Sequence, residues 1–156
     1  MRKPLFTDTV RLPKNCPVII AAQNPADMVS LASTCKSRAI RYVFDPGQQV
    51  ASLTGTQLRS AIAGAWVLVG NDYEVTLISK KTGWPAKKLF AAVEILVTTL
   101  GAHGSTIFYK HKMHRIPAAT PRRVVDPTGA GDAYRAGLLY GLVRDWPVTQ
   151  VGRFAS

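Results

Sequence analysis

The chain predicts an α/β fold, a mostly parallel β-sheet with helices on both faces. Its strand-length apolar runs, at residues 17–22, 40–44, 66–69 and 95–100, are continuous rather than alternating, as strands buried on both faces are. The segments between them have helical length and spacing, the alternation that brings parallel strands side by side. With 156 residues, 47% of them hydrophobic and 19% charged, the chain has the size and balance of one domain with a buried core.

Each element has its own signal. Residues 17–22 are the first strand, and 26–36 place Met28, Leu31, Ala32 and Cys35 on one helical face. Asn24-Pro25 supplies an N-cap followed by proline at the first helical position. The second strand, 40–44, closes in an Asp45-Pro46-Gly47 turn. Residues 56–63 carry Leu58 and Ile62 on one face, and 66–69 form the third strand. Short helices over 73–80 and 86–93 precede the fourth strand, which ends in Gly101-Ala102-His103-Gly104. Residues 106–109 and 113–116 flank a polar tip and form a hairpin. Val124-Val125 leads into Asp126-Pro127-Thr128-Gly129-Ala130-Gly131-Asp132, residues 133–143 are the most regular helix, and a last helix starts near Val148.

Several function classes fall away. No apolar run approaches the 18 or more residues of a membrane span, and the basic start has no signal-peptide core, so no membrane partner and a cytoplasmic location are expected. Twenty Lys and Arg against nine Asp and Glu give a charge of +11, but it is spread along the chain without a reader motif, so no specific nucleic acid is expected. The two cysteines, Cys16 and Cys35, fit no metal or redox spacing and are expected to be buried free thiols. Trp66, Trp84 and Trp146 are expected to pack in the core or at helix ends. His111 and His114 are assigned to a solvated hairpin edge.

The chemistry concentrates at the start of the helix after Pro127. Backbone amides of Gly129, Ala130 and Gly131 at a helix N-terminus can hold an oxyanion, although the same glycines would also serve a plain tight turn. Asp132, in the first helical turn, either caps the helix or stands ionised beside the nest, ready to accept a proton from an attacking hydroxyl.

The run from Asp126 to Asp132, continued by Ala136, Gly137, Leu138 and Leu139, resembles the C-terminal signature of the ribokinase-like, or PfkB, carbohydrate and nucleoside kinases over fourteen positions. Asn71-Asp72-Tyr73-Glu74 is similar to the family's Asn-x-x-Glu, and Thr99 to Gly104 to its Thr-x-Gly-x-x-Gly turn, both in family order. Alone, the first would read as a helix-capping pair and the second as an ordinary glycine turn. The Asp45-Pro46-Gly47 turn is also like the family, and the wording is nearest to adenosine-kinase-like bacterial sugar kinases.

The resemblance implies the C-terminal part of a ribokinase-like doubly wound sheet and ATP-dependent phosphorylation of a sugar or nucleoside hydroxyl. In that reading Asp132 is the catalytic base, and Gly129, Ala130 and Gly131 form the anion hole. Asn71 and Glu74 act on Mg2+ through water, and Thr99, Gly101 and Gly104 lie along the nucleotide. Asp126 serves a monovalent cation such as K+. A family member is about twice this length, and residues 1–15, which do not resemble the family, are expected to be a divergent or non-native segment. Residues 16–156 are then the nucleotide-binding half, truncated at both ends, inactive alone and self-associating through the exposed surface. The alternative is a non-catalytic nucleotide-binding or interaction domain.

Overall fold

The computed structural model describes residue 12 and residues 16–120 and 129–156. The elements follow one another as β1 (Val18–Ile20), α1 (Pro25–Ser37), β2 (Tyr42–Phe44), α2 (Gly55–Ile62), β3 (Val67–Asn71), α3 (Asp72–Thr82), α4 (Ala86–Ala92), β4 (Ile95–Thr99), β5 (Ser105–Tyr109), β6 (Lys112–Ile116), α5 (Ala130–Leu142) and α6 (Val148–Ala155). The six strands form one sheet in the order β1-β2-β3-β4-β5-β6. β1 to β4 pair in parallel through their helical crossovers, while β4–β5 and β5–β6 are antiparallel.

Successive side chains of each strand go to opposite faces, and each face has its own core. Tyr42, Phe44, Leu68 and Leu96 pack with Met28, Leu58, Ile62, Ile78 and Leu89 of α1 to α4. Val43, Val67, Val69, Ile95, Val97 and Ile107 pack on the other side with Tyr134, Leu138 and Leu142 of α5 and Val151 of α6. This two-sided burial is why the strands read as continuous apolar runs. Full burial of a side chain such as Leu138 contributes roughly 1.5–3 kcal/mol.

The local signals are realised in the expected places. Asn24 accepts from the Ala26 amide at 2.9 Å with Pro25 at the first helical position. Lys110 and His111, at the hairpin tip, both have positive φ, the left-handed conformation that a two-residue turn demands. Trp66 is buried, and Trp84 and Trp146 pack against the two cores.

Three expectations are corrected. Helix α5 starts at Ala130 rather than at 133, because Gly129 takes up the turn with φ +82° and Ala130, Gly131 and Asp132 are its first helical turn. Asp132 is therefore no N-cap; that position belongs to Gly129 and carries no side-chain hydrogen bond. Cys16 is exposed, lying before β1 where no layer covers it, whereas Cys35 is buried and free. Burial pushes the Cys35 thiol up, with Arg38 opposing. Among the described residues no helix is long and apolar enough to cross a membrane.

Candidate active site at the strand ends

In a parallel sheet the carboxyl ends of the strands share one edge, and ligands bind in the crevice there. Three chemistry-bearing residues reach that edge: Asp45 directly after β2, Asn71 closing β3 and Thr99 closing β4. The N-terminus of α5 meets them from the other face of the sheet.

Asn71 and Glu74 form a complete capping box. The Glu74 amide donates to Asn71 Oδ1 at 2.8 Å, and the Asn71 amide donates to Glu74 Oε2 at 2.8 Å. The capping role is thus present, and it fixes the Glu74 carboxylate at the mouth of β3 while occupying only one of its oxygens. After Thr99 the chain makes a short turn over Gly101–His103, closed by the Leu100 amide donating to the Gly104 carbonyl at 2.8 Å. Gly104 has φ +85°, and a Cβ there would lie 2.0 Å from the Ile116 carbonyl oxygen, so its glycine serves the return into β5. A Cβ at Gly101, Gly129 or Gly131 would meet nothing within 4 Å among the described residues. Packing does not require these glycines; they leave open space at the crevice.

Two adjoining hollows result. One, about 270 Å³, is lined by Thr99, Gly101, Gly104, Ala130, Gly131 and Tyr134 among others. The other, about 210 Å³, is lined by Asp45, Gly47, Asn71, Glu74, Thr99, Gly131, Tyr134 and Arg135 among others. They share Thr99, Gly131 and Tyr134, so the structure brings three motifs onto one continuous crevice. Gly129 and Asp132 line neither hollow; they lie at its rim, where Gly129 caps α5 and Asp132 is exposed. The Asp126 assignment, and the K+ site that rests on it, lie outside the described residues. A larger hollow of about 410 Å³ lies at the opposite end of the strands, among Arg41, Trp66, Glu94 and Tyr109, away from every motif.

Among the described residues no side chain caps α5, and the amides of its first turn, with the helix dipole, favour an anion. Among the described residues no group of three or more His, Cys, Asp or Glu could cage a metal ion. The single carboxylate of Glu74 fits Mg2+ instead, an ion commonly held by one carboxylate, substrate phosphates and its own waters.

Sequence reasoning missed three residues. The Asp45 carboxylate is buried; Oδ1 accepts from the Gly47 amide at 3.0 Å and Oδ2 accepts from Arg135 Nη1 at 2.5 Å. Arg135 Nη2 also donates to Asp132 Oδ1. Tyr134 is buried with its hydroxyl 2.8 Å from Ser105 Oγ, and burial pushes its phenol up, against the Ser105 hydrogen bond. Spacing would have linked Arg135 to Asp132, since residues three apart share a helix face. Asp45 was visible only as the first residue of an Asp-Pro-Gly turn; nothing local points to its pairing with Arg135.

A family model described as "pfkB family carbohydrate kinase" matches residues 9–156. The chain belongs to this family. The pfkB match is supported by individual relatives, each of which this chain covers only in part. A nucleoside kinase of Methanothermobacter thermautotrophicus is 39% identical over 114 residues, 72% of this chain and 36% of the relative. A fructokinase of Escherichia coli is 33% identical over 156 residues, 88% of this chain and 50% of the relative. The solved nucleoside kinase of Burkholderia thailandensis in complex with inosine superposes with a TM-score of 0.87 at 37% identity, covering 90% of this chain and 47% of that one. The same enzyme in complex with ADP-inosine gives 0.85 at 38%. The chain thus spans about half the length, or less, of the relatives it matches.

Proposed function

We propose that the crevice binds Mg·ATP for phosphoryl transfer to a hydroxyl of a nucleoside, or of a sugar, with Asp132 as the base. The observation that carries the reading is the meeting of the glycine-started N-terminus of α5, Glu74 and Thr99 around one crevice, with Asp132 in the first turn of the same helix. The acceptor class follows the relatives, among which nucleoside kinases recur at 30–39% identity. Residues 16–156 are the nucleotide-binding half in this reading, and acceptor binding belongs to the part of the relatives that this chain does not span.

Phosphoryl transfer has a loose transition state, so the protein's work is positioning and charge stabilisation. The amides of Ala130 and Gly131, freed by the turn at Gly129, hold negative charge developing on the transferred group. Thr99, Gly101 and Gly104 bound the hollow that takes the nucleotide. Glu74, held in place by Asn71, is the residue that would hold Mg2+ through water; the ion supplies charge neutralisation between phosphates. Asp132 accepts the proton of the attacking hydroxyl at its carboxylate.

Calorimetry with ATP, with and without Mg2+, tests the binding step. Binding that depends on Mg2+ is expected, and no heat at about 1 mM nucleotide, the upper end of ordinary KM values, overturns it. Little transfer by this chain alone is expected with a panel of nucleosides and sugars. In a form that does turn over, Asp132→Asn should cost on the order of a hundredfold in turnover with ATP affinity kept or raised. Turnover retained in that variant would favour the non-catalytic nucleotide-binding reading.

A further inference from the structure

We propose that Arg135 is the ligand of the terminal phosphate of a bound nucleoside triphosphate, and that Asp132 holds that guanidinium edge until the triphosphate displaces it. The inference rests on the reading of the crevice as a nucleotide site and adds to it a residue and a switch.

Arg135 lies one helical turn beyond Asp132 and lines the 210 Å³ hollow with Gly131, Asn71 and Glu74. Among the described residues it is the one Lys or Arg lining either hollow of the crevice. A triphosphate carries several negative charges into a hollow whose other charged side chains are the carboxylates of Asp45 and Glu74, so the one cationic side chain there weighs heavily in its binding.

The two carboxylates on Arg135 are held unequally. Asp45 has a side chain only 8% exposed, and its second oxygen is occupied by the Gly47 amide, so this half of the bridge is fixed. Asp132 has a side chain 75% exposed and pairs with Arg135 across a single helical turn. Arg135 itself is only 16% exposed, but a pair whose carboxylate stands in solvent is weakened by water and salt. One edge of the guanidinium is therefore anchored, and the other is offered to any stronger anion.

A phosphate oxygen accepts the same planar donors as a carboxylate and carries more charge. When the terminal phosphate reaches the first turn of α5, Arg135 Nη2 passes from Asp132 Oδ1 to a phosphate oxygen while Nη1 stays on Asp45. No bond is made or broken, and the guanidinium keeps its protons throughout. Asp132 is released to accept the hydroxyl proton only once a transferable phosphate is in place. A diphosphate lacks the group that makes the exchange and leaves Asp132 paired.

The test is calorimetry of Mg·ATP and Mg·ADP at about 0.15 M salt, on the chain and on Arg135→Gln, Arg135→Lys and Asp132→Asn. Arg135→Gln should bind ATP about tenfold more weakly, the size of one charge-assisted contact, with ADP nearly unchanged. Asp132→Asn should tighten ATP a few-fold and leave ADP alone, since the competing anion is gone. Equal losses for ATP and ADP, or no loss for either in Arg135→Gln, overturn the assignment while leaving the nucleotide site standing. If the unaltered chain binds neither nucleotide, the site reading fails and takes the assignment with it. Should Arg135→Gln fail to fold because Asp45 is left buried without its cation, Arg135→Lys decides. It keeps a charge on Asp45 but lacks the two-sided fork, so a several-fold loss confined to ATP is expected, and unchanged ATP binding overturns the proposal.

Discussion

Glu74 joins local structure to function in one side chain, because its carboxylate both closes the capping box of α3 and faces the crevice. The two roles separate by substitution. Glutamine can still reach back to the Asn71 amide, so Glu74→Gln should unfold within about 0.5 kcal/mol of the unaltered chain while losing most of the gain in ATP affinity that Mg2+ brings. Glu74→Ala should lose the cap as well, at about 1 kcal/mol. Thermal melts and calorimetry with and without Mg2+ read both, and a Mg2+ effect that survives Glu74→Gln would leave Glu74 a cap only. Contiguous motifs such as Asn71 to Glu74 and Gly129 to Asp132 were legible in the sequence because each is held together by one turn of chain. The Asp45–Arg135 pair was not, since its members are 90 positions apart and meet only after β2 and α5 lie on one sheet. Capping stood as the alternative to a base role for Asp132 because Asp is a favoured N-cap type, yet Gly129 fills that position with a backbone conformation that needs no side chain.

The elements were legible for the reason that makes them stable: strands buried on both faces are apolar throughout, and helices between them show the 3.6-residue stripe. Pairing was less so. The hairpin of β5 and β6 was readable from its polar tip, but the antiparallel pairing of β5 on β4 depends on the turn through Gly101 and Gly104. Those two glycines predict different outcomes. Gly104 combines φ +85° with a Cβ contact of 2.0 Å to backbone, so Gly104→Ala strains the turn and pushes β5 off the strand end. Gly101 has φ +56° and open space around it, so Gly101→Ala meets only the left-handed backbone penalty. Roughly 1 kcal/mol is expected for Gly101→Ala, and more than about 3 kcal/mol, or failure to fold, for Gly104→Ala. Chemical denaturation measures both, and equal costs would show that the close approach to Ile116 is relieved by movement. Helix α6 reaches its place by the same device: a Cβ at Gly152 would lie 2.6 Å from Ile116 Cγ1, and one at Gly137 2.9 Å from Ala155 Cα.

Across the whole molecule, two opposing effects set how stability changes in alkaline solution. The chain carries +11 at neutral pH, and deprotonating its lysines relieves self-repulsion. Against this stand three buried acids that hold their protons more tightly in the fold than in the unfolded chain. Burial pushes the Cys35 thiol above its ordinary 9.0 and the phenols of Tyr42 and Tyr134 above 10.0. The Tyr42 hydroxyl also donates to the Ala61 carbonyl at 2.8 Å, a bond its phenolate cannot make. Below about pH 8 all three are neutral in both states and their contribution is complete. Above it the unfolded chain gives up protons that the native chain retains, so the unfolded state is favoured progressively as pH rises. Each tenfold difference in proton affinity is worth about 1.4 kcal/mol, whereas repulsion among exposed charges is screened beyond about 8 Å at 0.15 M salt. The buried acids should therefore win. Melting temperature in 0.15 M salt should hold level from pH 7 to about 8 and fall steadily to pH 11. Tyr42→Phe should flatten part of the decline by removing one of the protons at stake. A melting temperature that rises through this range would mean that relief of the net charge outweighs the three buried groups.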